Sequence, residues 1–307
     1  MNLTKHPKLK FKVPVFLRKL VVIARRVSQL LRLTGARELH LTDSGMATVV
    51  LNRNYPLGVR GSEINLIKDQ MIYEFVKLRG KWEIDESKFL ASQLKILSSM
   101  EDPRKIAMID IGANTGLVTL QAMNLANTYN DYILIEPSAL HVRQLKKNFH
   151  NSRFRVQIKE FALSDFDGKA QLFTQESNQG NSSLFEIAVP PSEKTAQEVW
   201  LRDTEDFFQE ELSQYEKIVI KCDTQGYDAL ILSRIPASAW SKVQAAVIEV
   251  WALPSISKSH VETLMGELNK FSKVSWNPGF TNPVKSSDLA NFWLSKTSKS
   301  RNLFLSK

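Results

Sequence analysis

From residue 105 onward, short apolar runs alternate with longer amphipathic stretches. The first runs are Ile106 to Ile111, Tyr132 to Ile135 and Val156 to Ala162, and helical patterns fill the intervals from Leu117 to Ala126 and from Ala139 to Phe149. Short apolar runs are typical of parallel strands buried on both faces, and such strands need a helix to connect them. The order predicts an α/β fold with a doubly wound, mostly parallel sheet, whose ligands bind at the carboxyl ends of the strands.

The turn between the first strand and the first helix has an unusual composition. In "MIDIGANTG", residues 108 to 116, Gly112 and Gly116 lie between two apolar segments. Glycine permits a sharp turn and lets a ligand approach the main chain, because it has no Cβ. Asn114 either adopts a left-handed conformation or caps the following helix through its amide. We therefore expect this turn to form one wall of a ligand site.

An acid follows the second strand at the spacing of a ribose-binding residue. Glu136 lies 20 residues after Gly116, where a carboxylate can accept hydrogen bonds from two ribose hydroxyls. Asp110 precedes the turn and either orients the loop or contacts the ammonium group of the cofactor. A dinucleotide site favours three glycines in G-x-G-x-x-G, which this turn lacks. The pattern therefore favours S-adenosylmethionine, a nucleoside cofactor without phosphates.

The third strand ends at "ALSDFDG", residues 162 to 168. In a methyltransferase sheet the adenine ring lies here, and Asp165 would accept a hydrogen bond from its exocyclic amine. Asp-Phe-Asp-Gly is also typical of a hairpin turn, with residues 169 to 173 as the return strand. Both interpretations are compatible.

The net charge of +9 is concentrated at the N-terminus. Residues 1–60 contain 12 Lys and Arg and two acidic residues, whereas the rest contains 29 basic and 30 acidic residues. The basic character therefore belongs to an N-terminal arm, and the main body is neutral. Nucleic acid is accordingly not an expected partner of the body.

Within the arm, apolar residues recur at helical spacing opposite a basic face; they are Phe16, Leu20, Ile23, Val27 and Leu30. One interpretation is that this stripe docks on the body or on a second subunit of a homo-oligomer. The other is that residues 9–33 lie peripherally on an anionic membrane surface. The chain lacks the run of about 18 apolar residues that a membrane span requires, and Cys222 is its only cysteine, so we expect a cytoplasmic protein.

We expect three regions: the arm (1–60), a helical lead-in (61–104) and the sheet domain (105–307). In the lead-in, helical patterns run from Ile64 to Leu78 and from Ser87 to Leu97. Near the C-terminus, the "FWL" run at 292–294 is interpreted as a closing antiparallel strand.

Seven segments in one consistent order resemble the FkbM family of S-adenosylmethionine-dependent methyltransferases. They are "MIDIGANTG", "ILIEPS", "LKKNFHNS", "FALSDFDGKAQLF", "GNSSLF", "IKCDTQGYDALIL" and "AAVIEVW", within residues 105 to 252. The resemblance implies a class I methyltransferase fold and methyl transfer to oxygen, commonly to a hydroxyl of a sugar or glycan or of a natural product.

The resemblance also implies roles for individual residues. The turn residues Asp110, Gly112, Asn114 and Gly116 would line the methionine end of the cofactor. Glu136 would bind the ribose, and Asp165 would face the adenine. Further along the chain, Lys221, Asp223 and Gly226 match the family's Lys-x-Asp-x-x-Gly. The family often has Asp-Val-Glu-Gly there, whereas this chain has Gln225, which puts any role for a charge at that position in doubt.

The candidate catalytic residues follow the fourth and fifth strands. A hydroxyl acceptor needs a base to remove its proton, and Asp223 is our first candidate, with Glu249 as the second. Asp223 is alternatively the N-cap of a short helix from Gln225 to Leu232. Lys221 either neutralises an anionic acceptor or pairs with Asp223. Cys222 points to the opposite side of the strand and is expected to pack in the core.

Three other functions compete with this interpretation. A nucleic-acid methyltransferase that grips a flipped base has Pro-Pro and an aromatic residue after the fourth strand, which this chain lacks. A nicotinamide-dependent oxidoreductase is disfavoured by the missing third glycine. A non-catalytic scaffold would bind the cofactor and associate with a membrane through the arm.

Two groups of residues carry weaker signals. The histidines have no partners at ligand spacing, so no metal site is expected. Five aromatic residues either fill the core or stack on a sugar; they are Trp251, Trp276, Phe280, Phe292 and Trp293.

Overall fold

The computed structural model describes residues 34–41, 45–175, 177–191 and 194–307. The amphipathic helix predicted for the arm and the membrane contact predicted for residues 9–33 lie outside the described residues. Of the helices in the described part, none has the length and apolarity needed to cross a membrane.

The described chain begins with a three-stranded antiparallel sheet. Its strands are β1 (Ala36–Leu41), β2 (Met46–Leu51) and β3 (Glu63–Ile67), in that order. Two helices follow, α1 (Ile72–Arg79) and α2 (Ile84–Met100). Because β2 pairs with β3, the sheet spans the boundary that we placed between residues 60 and 61, and the lead-in is not purely helical.

The helix predicted from Ile64 to Leu78 is wrong in its first part. Ile64 and Leu66 are buried on β3 and the residue between them is less so, which is the alternation of a strand with one face on a core. The helix starts only after Asp69, whose Oδ1 accepts a hydrogen bond of 2.8 Å from the backbone N–H of Tyr73. The apolar residues in this segment fit the spacing of a helix as well as that of a strand. Pairing with β2 selects the strand.

The central sheet contains seven strands: β4 (Ile106–Ile111), β5 (Asp131–Ile135), β6 (Arg155–Lys159), β11 (Lys217–Cys222), β12 (Val243–Trp251), β13 (Lys273–Ser275) and β14 (Ser300–Ser306). They lie in the order β13-β14-β12-β11-β4-β5-β6, and β14 is antiparallel to both of its neighbours. The chain winds outward from β4 in two directions, so the carboxyl ends of β4, β5 and β11 border a crevice. The predicted α/β fold with a doubly wound, mostly parallel sheet of the class I methyltransferase type is confirmed.

The remaining helices are α3 (Leu117–Ala126), α4 (Ala139–Phe149), α5 (Thr204–Glu211), α6 (Asp228–Ser233), α7 (Ala237–Lys242), α8 (Lys258–Leu268) and α9 (Ser286–Trp293). Side chains of α2, α3 and α4 share one core with Met108 of β4. Those of α6, α8 and α9 share another core with Ile109 and Ile111. Every residue of β4 is buried, because helices cover both faces of the sheet.

A second sheet, which the sequence patterns did not indicate, stands beside the crevice. It contains β7 (Ala162–Ser164), β8 (Gly168–Gln175), β9 (Asn178–Ser183) and β10 (Lys194–Asp203), in the order β7-β10-β8-β9. The predicted third strand from Val156 to Ala162 is therefore divided between two sheets. Residues 169 to 173 do form a strand, but the predicted hairpin is wrong, because β10 lies between β7 and β8.

The closing strand also differs from the prediction. The "FWL" run lies at the end of α9 and just beyond it, with Leu289 and Trp293 buried one turn apart. The antiparallel strand is β14, which pairs with both β12 and β13. The spacing of four residues favours a helix, and the fully buried Trp293 belongs to the main core.

Asn148 attaches the N-terminal sheet to the main body. Its Oδ1 accepts a hydrogen bond of 2.7 Å from the backbone N–H of Asn65 on β3, and its Nδ2 donates to the Asn65 carbonyl at 2.9 Å. The same Nδ2 donates to the carbonyl of Thr115 at 2.8 Å. The sheet is thereby connected to the turn that follows β4.

The two glycines of that turn are required by neighbouring protein atoms. Both have φ of 78°. A Cβ on Gly112 would lie 2.0 Å from the carbonyl oxygen of Asp223, and one on Gly116 would lie 2.4 Å from Cε2 of Phe149. The sharp turn that we predicted is confirmed, and neighbouring protein atoms also require both glycines. The approach of a ligand to this turn stays a prediction.

We expect Gly112→Ala to lower the free energy of unfolding by more than about 3 kcal/mol, since a left-handed conformation costs about 1–2 kcal/mol and the Cβ clash adds to it. Gly61→Ala is a matched control, because Gly61 has φ of 90° and no atom within 4 Å of the added Cβ. It should cost only about 1–2 kcal/mol. Urea denaturation followed by circular dichroism measures both, and equal losses would contradict the packing role of Gly112.

Candidate active site

A cleft opens where β4, β5 and β11 end, between the central sheet and the second sheet. It contains about 1170 Å³ of space not filled by atoms, including the solvent at its mouth. Its walls include the turn at 112–118 except Gly116, the segment at 135–137 and the segment at 221–225 except Cys222. The structure therefore brings together the ends of three strands that are distant in the sequence.

Glu136 is buried on the wall of this cleft and is held by the main chain. Its Oε2 accepts a hydrogen bond of 2.8 Å from the backbone N–H of Asn114, and its Oε1 accepts one of 2.8 Å from Ser138. The carboxylate is only 6% exposed. Because each oxygen has a second lone pair, the group can accept further hydrogen bonds in a fixed orientation.

Asn114 resolves the choice that the sequence left open. Its φ of 53° is left-handed. Its Oδ1 accepts from the N–H of the next residue, Thr115, at 2.7 Å. The helix α3 follows Gly116 and has no side-chain cap. Asn114 thus shapes the turn and presents its N–H to Glu136, and it does not cap the helix.

Asp110 and Lys221 form a buried ion pair behind the turn. Lys221 Nζ lies 3.2 Å from Asp110 Oδ1 and donates to the carbonyl oxygen of Gly112 at 3.0 Å. Thr119 Oγ1 donates to Asp110 Oδ2 at 2.6 Å. Asp110 is 1% exposed and is not part of the cleft wall, whereas Lys221 is. Of the two roles considered for Asp110, orienting the loop is the one that this geometry supports.

The charge of Lys221 is stabilised by its acidic neighbours. Burial alone lowers the pKa of this ammonium, but the charges of Asp110, Asp223 and Glu83 outweigh burial and raise the pKa above its ordinary value. The distance from Nζ to Asp223 Oδ2 is 3.6 Å. Lys221 is therefore shared between Asp110 and Asp223.

Gln225 connects the two candidate bases. Its Nε2 donates to Asp223 Oδ1 at 2.6 Å and to Glu249 Oε2 at 2.9 Å. Its φ of 54° is left-handed. A glutamate at this position would add a third negative charge and could not donate to both carboxylates. The departure from the family pattern thus has a structural consequence, which is the joining of Asp223 to Glu249.

Burial is the largest cause that raises the pKa of Glu249 well above its ordinary value, and the charge of Asp223 is the next. Asp228 and a hydrogen bond with Asp223 act in the same direction. Two neighbouring carboxyl groups in a desolvated site favour the state in which one holds a proton. Burial and the neighbouring carboxylate thus both make Glu249 harder to ionise than a free glutamate.

Asp223 is not the cap of the following helix. The helix α6 begins at Asp228, three residues later than predicted, and Asp228 accepts from the backbone N–H groups of Thr224 (3.1 Å) and Gly226 (3.2 Å). Burial, followed by the charge of Asp223, raises the pKa of Asp228 to about 6. The turn at 223–227 is thus organised by Asp228, which the sequence did not single out.

Asp165 is exposed and accepts from Ser164 Oγ at 3.1 Å. It does not line the cleft, although Ala162 and Leu163 of the preceding strand β7 do. Its contact with an adenine ring stays a prediction. Cys222 is fully buried in the main core, which confirms its packing role.

Glu83 is the cleft residue that sequence reasoning missed. It precedes α2 and lines the cleft beside Trp82, Lys221 and Asp223. Burial, followed by the charge of Asp223, raises the pKa of Glu83 to about 8. Its sequence context, a turn ahead of an amphipathic helix, contains no signal for this placement, because Lys221 and Asp223 lie more than 100 residues further along the chain.

The predicted sugar-stacking aromatics lie elsewhere. Trp276 and Phe292 pack against the main core, and their ring centroids are 5.3 Å apart. None of the five aromatic residues is part of the cleft wall. Among the described residues, His, Cys, Asp and Glu form no group of three or more that could hold a metal ion.

Two buried hydroxyl groups of the cleft wall have unused hydrogen-bonding capacity. Thr115 Oγ1 and Thr224 Oγ1 have no hydrogen-bond partner among the described residues. Both residues line the cleft. Buried polar atoms are normally satisfied, so these two fit a polar ligand between the turn and β11.

No protein-family model matches the chain, and no curated protein matches it. Solved structures with a similar fold include a SAM-dependent methyltransferase from Agrobacterium tumefaciens, which is 13% identical with a TM-score of 0.39, over 92% of this chain and 78% of that one. The methyltransferase FkbM from Methylobacillus flagellatus is 13% identical with a TM-score of 0.36, over 69% of this chain and 47% of that one.

A third similar structure is the fibrillarin of Aeropyrum pernix, with natively bound S-adenosyl-L-methionine. It is 13% identical with a TM-score of 0.36, over 88% of this chain and 99% of that one. Likeness at this level does not assign an activity, so the function is inferred from the site.

The raised pKa of Glu83 predicts a stability that depends on pH. Because the pKa lies above the unfolded value of 4.5, the native state holds a proton that the unfolded chain releases. This contribution to stability is complete below about pH 4.5 and is lost as the pH rises toward 8. Glu83→Gln should therefore become more stable relative to the wild type between pH 5 and 8.5, by on the order of 1–3 kcal/mol.

Urea denaturation at several pH values measures this difference. The control is Glu262→Gln, since Glu262 is exposed and paired with Lys258 at 3.3 Å, and its effect should not change with pH. A difference between Glu83→Gln and the wild type that stays constant from pH 5 to 8.5 would argue against a desolvated Glu83.

Proposed function

We propose that this chain is an S-adenosylmethionine-dependent methyltransferase of the FkbM family that transfers the methyl group to a hydroxyl oxygen. The observation that carries the proposal is the buried Glu136 carboxylate, which two backbone N–H groups hold between β4 and β5. Its free lone pairs suit the two adjacent hydroxyls of a ribose. The ordered motifs from residue 108 to residue 251 support the family.

The surroundings of Glu136 suit the rest of an adenosine. Apolar side chains that include Ile135, Leu163 and Tyr227 line the cleft and would cover the faces of a purine. The unpartnered hydroxyls of Thr115 and Thr224 would bind polar atoms of the ligand.

The charges in the cleft disfavour a dinucleotide. Glu136 and Asp223 line the cleft, and the buried Lys221 is already shared between two acids. A pyrophosphate would meet repulsion there, whereas a sulfonium and an ammonium group would be attracted. The electrostatics therefore support S-adenosylmethionine over a nicotinamide cofactor.

When bound, the cofactor supplies a methyl carbon that its sulfonium has already activated. The chain has to align the acceptor oxygen and remove its proton, and alignment alone can contribute about 7–11 kcal/mol. We assign proton removal to Asp223, with its Oδ2 as the accepting oxygen, since Gln225 already donates to Oδ1. The amide of Gln225 and the ammonium of Lys221 would hold the Asp223 carboxyl group in place.

The proposed acceptor is a hydroxyl on a sugar, glycan or natural product. Asn178 and Ser182 of β9 line the cleft, and such amide and hydroxyl groups suit a polyhydroxylated molecule. The alternative acceptor is a nucleic acid. It is less favoured because Asp223 is followed by Thr-Gln-Gly and not by Pro-Pro and an aromatic residue.

Isothermal titration with S-adenosylmethionine and S-adenosylhomocysteine tests the cofactor assignment. We expect Glu136→Ala to weaken both ligands about 10- to 100-fold, because two hydrogen bonds to a charged group are lost. Glu262→Ala removes an exposed acid on α8 and should leave both affinities unchanged. Binding that Glu136→Ala does not weaken would rule out the ribose role of Glu136.

Asp223→Asn tests the base. We expect a loss of about 10²- to 10⁴-fold in turnover and less than about a threefold change in cofactor affinity, because the asparagine keeps the size of the side chain but not its basicity. Asp206→Asn on α5 is the control, since Asp206 is exposed.

The assay follows tritium from methyl-labelled S-adenosylmethionine into a panel of sugars, glycans, hydroxylated polyketides and total RNA. Transfer to RNA alone would replace the proposed acceptor class with the nucleic-acid alternative. Cofactor binding without transfer to any member of the panel would favour the non-catalytic scaffold. Full turnover of Asp223→Asn would refute its role as the base.

A further inference from the structure

Glu83 has an unfavourable backbone conformation at the edge of the cleft. Its φ of 39° and ψ of 57° are left-handed, although it is neither glycine nor asparagine. A residue other than glycine pays for this conformation in steric strain, and such residues persist where the surrounding structure holds them. The strained backbone at Glu83 therefore indicates that this residue has a function.

A buried polar network holds the backbone at this position. Gln121 Oε1 accepts from the N–H of Trp82 at 3.2 Å, and Gln121 Nε2 donates to the carbonyl of Trp82 and to Ser87 Oγ. The N–H and the hydroxyl of Ser87 both donate to the carbonyl of Glu83, at 3.2 Å and 3.0 Å. Gln121 and Ser87 are completely buried. Their hydrogen bonds fix the main chain and leave the Glu83 carboxyl in the cleft wall.

The charges that face Glu83 leave this part of the cleft with an excess of negative charge. They come from Asp223 and Lys221 on the strand-end side, Glu86 on α2 and Asp110 on β4. Lys221 is the positive member of this set, and its Nζ is already engaged by Asp110 and the carbonyl of Gly112. The acids in this set outnumber the one lysine, so a cationic ligand group would be attracted here.

Asp110 is buried away from the cleft, although contact with an ammonium group was one of its two predicted roles. It lies outside the cleft wall, and its oxygens contact Thr119 and Lys221. The ammonium of Lys221 contacts Asp110 and lines the cleft, and it would repel a ligand cation. A cationic group in this cleft therefore needs another acid.

We infer that the Glu83 carboxylate binds the α-ammonium group at the amino-acid end of the cofactor, with the strained turn at residues 82–83 placing it there. This inference rests on the proposed function. It makes α2 and the residues ahead of it part of the cofactor site, whereas the ordered motifs begin only at residue 108.

The protonation of Glu83 supports this assignment and makes it measurable. Burial and the charge of Asp223 raise the pKa of Glu83 to about 8, so the free protein holds a proton on this carboxyl at pH 7. An ammonium group beside it would favour the ionised form and release the proton. Cofactor binding should therefore be coupled to proton release.

Three ligands and two matched variants test the inference by isothermal titration. S-adenosylmethionine has an ammonium and a sulfonium, S-adenosylhomocysteine keeps only the ammonium, and 5′-methylthioadenosine lacks both. Glu83→Gln should weaken the first two at least about tenfold and methylthioadenosine less than about twofold, since only the ammonium contact is removed. Asp85→Asn is the control, because Asp85 is an exposed acid on the same helix that does not line the cleft, and it should leave all three affinities unchanged.

Titration at pH 7 in phosphate and in Tris measures the proton. The wild type should release about 0.5–1 proton on binding S-adenosylhomocysteine, and Glu83→Gln should release close to none. Glu83→Gly separates the loss of the carboxyl group from misfolding, because glycine adopts the left-handed conformation without strain. This variant should unfold at a higher temperature than Glu83→Gln and bind S-adenosylhomocysteine as weakly.

The possible outcomes separate the two proposals. Wild-type protein that binds none of the three ligands refutes the proposed function and the inference together. Normal affinity of Glu83→Gln for S-adenosylhomocysteine overturns the inference alone. A loss confined to S-adenosylmethionine would place Glu83 at the sulfonium and would overturn the ammonium assignment.

Discussion

The buried ammonium of Lys221 is the interaction on which the site depends. A charge taken out of water is costly unless it is paired, so Lys221 requires Asp110, the Gly112 carbonyl and Asp223 around it. These contacts hold the ends of β4 and β11 together, and the main chain approaches so closely there that position 112 has no room for a Cβ. The geometry of the cleft wall follows from neutralising this one cation.

The cleft wall and the residues packed behind it contain more acids than Lys221 can neutralise. Burial and mutual repulsion raise the pKa values of Glu83, Asp228 and Glu249, and each raised value makes the fold less stable as the pH increases. Gln225 reduces the repulsion by donating to Asp223 and Glu249 together. Strain and charge repulsion concentrated in one cleft are typical of a binding site whose function costs stability, and a cationic ligand would relieve the repulsion.

The errors of sequence interpretation share a cause. The apolar residues at 64–67 satisfy a helical period, yet they form β3 because β2 lies beside them. The run at 292–294 has strand-like composition, yet it ends α9 because Trp293 fills the main core one turn after Leu289. In both segments the local pattern is ambiguous, and a partner that is distant in the sequence decides the outcome.

The sequence by itself determined the order of strands and helices from residue 106 to residue 159, the glycine turn and the position of Glu136, because periodicity and turn chemistry are local properties. Only the tertiary structure brought Glu83 to the cleft, joined Asp223 to Glu249 through Gln225, and made Asp228 the organiser of the turn. Protonation and ion pairing depend on distances and burial between residues that are far apart along the chain. No local pattern encodes those distances, and the packing of the whole sheet sets them.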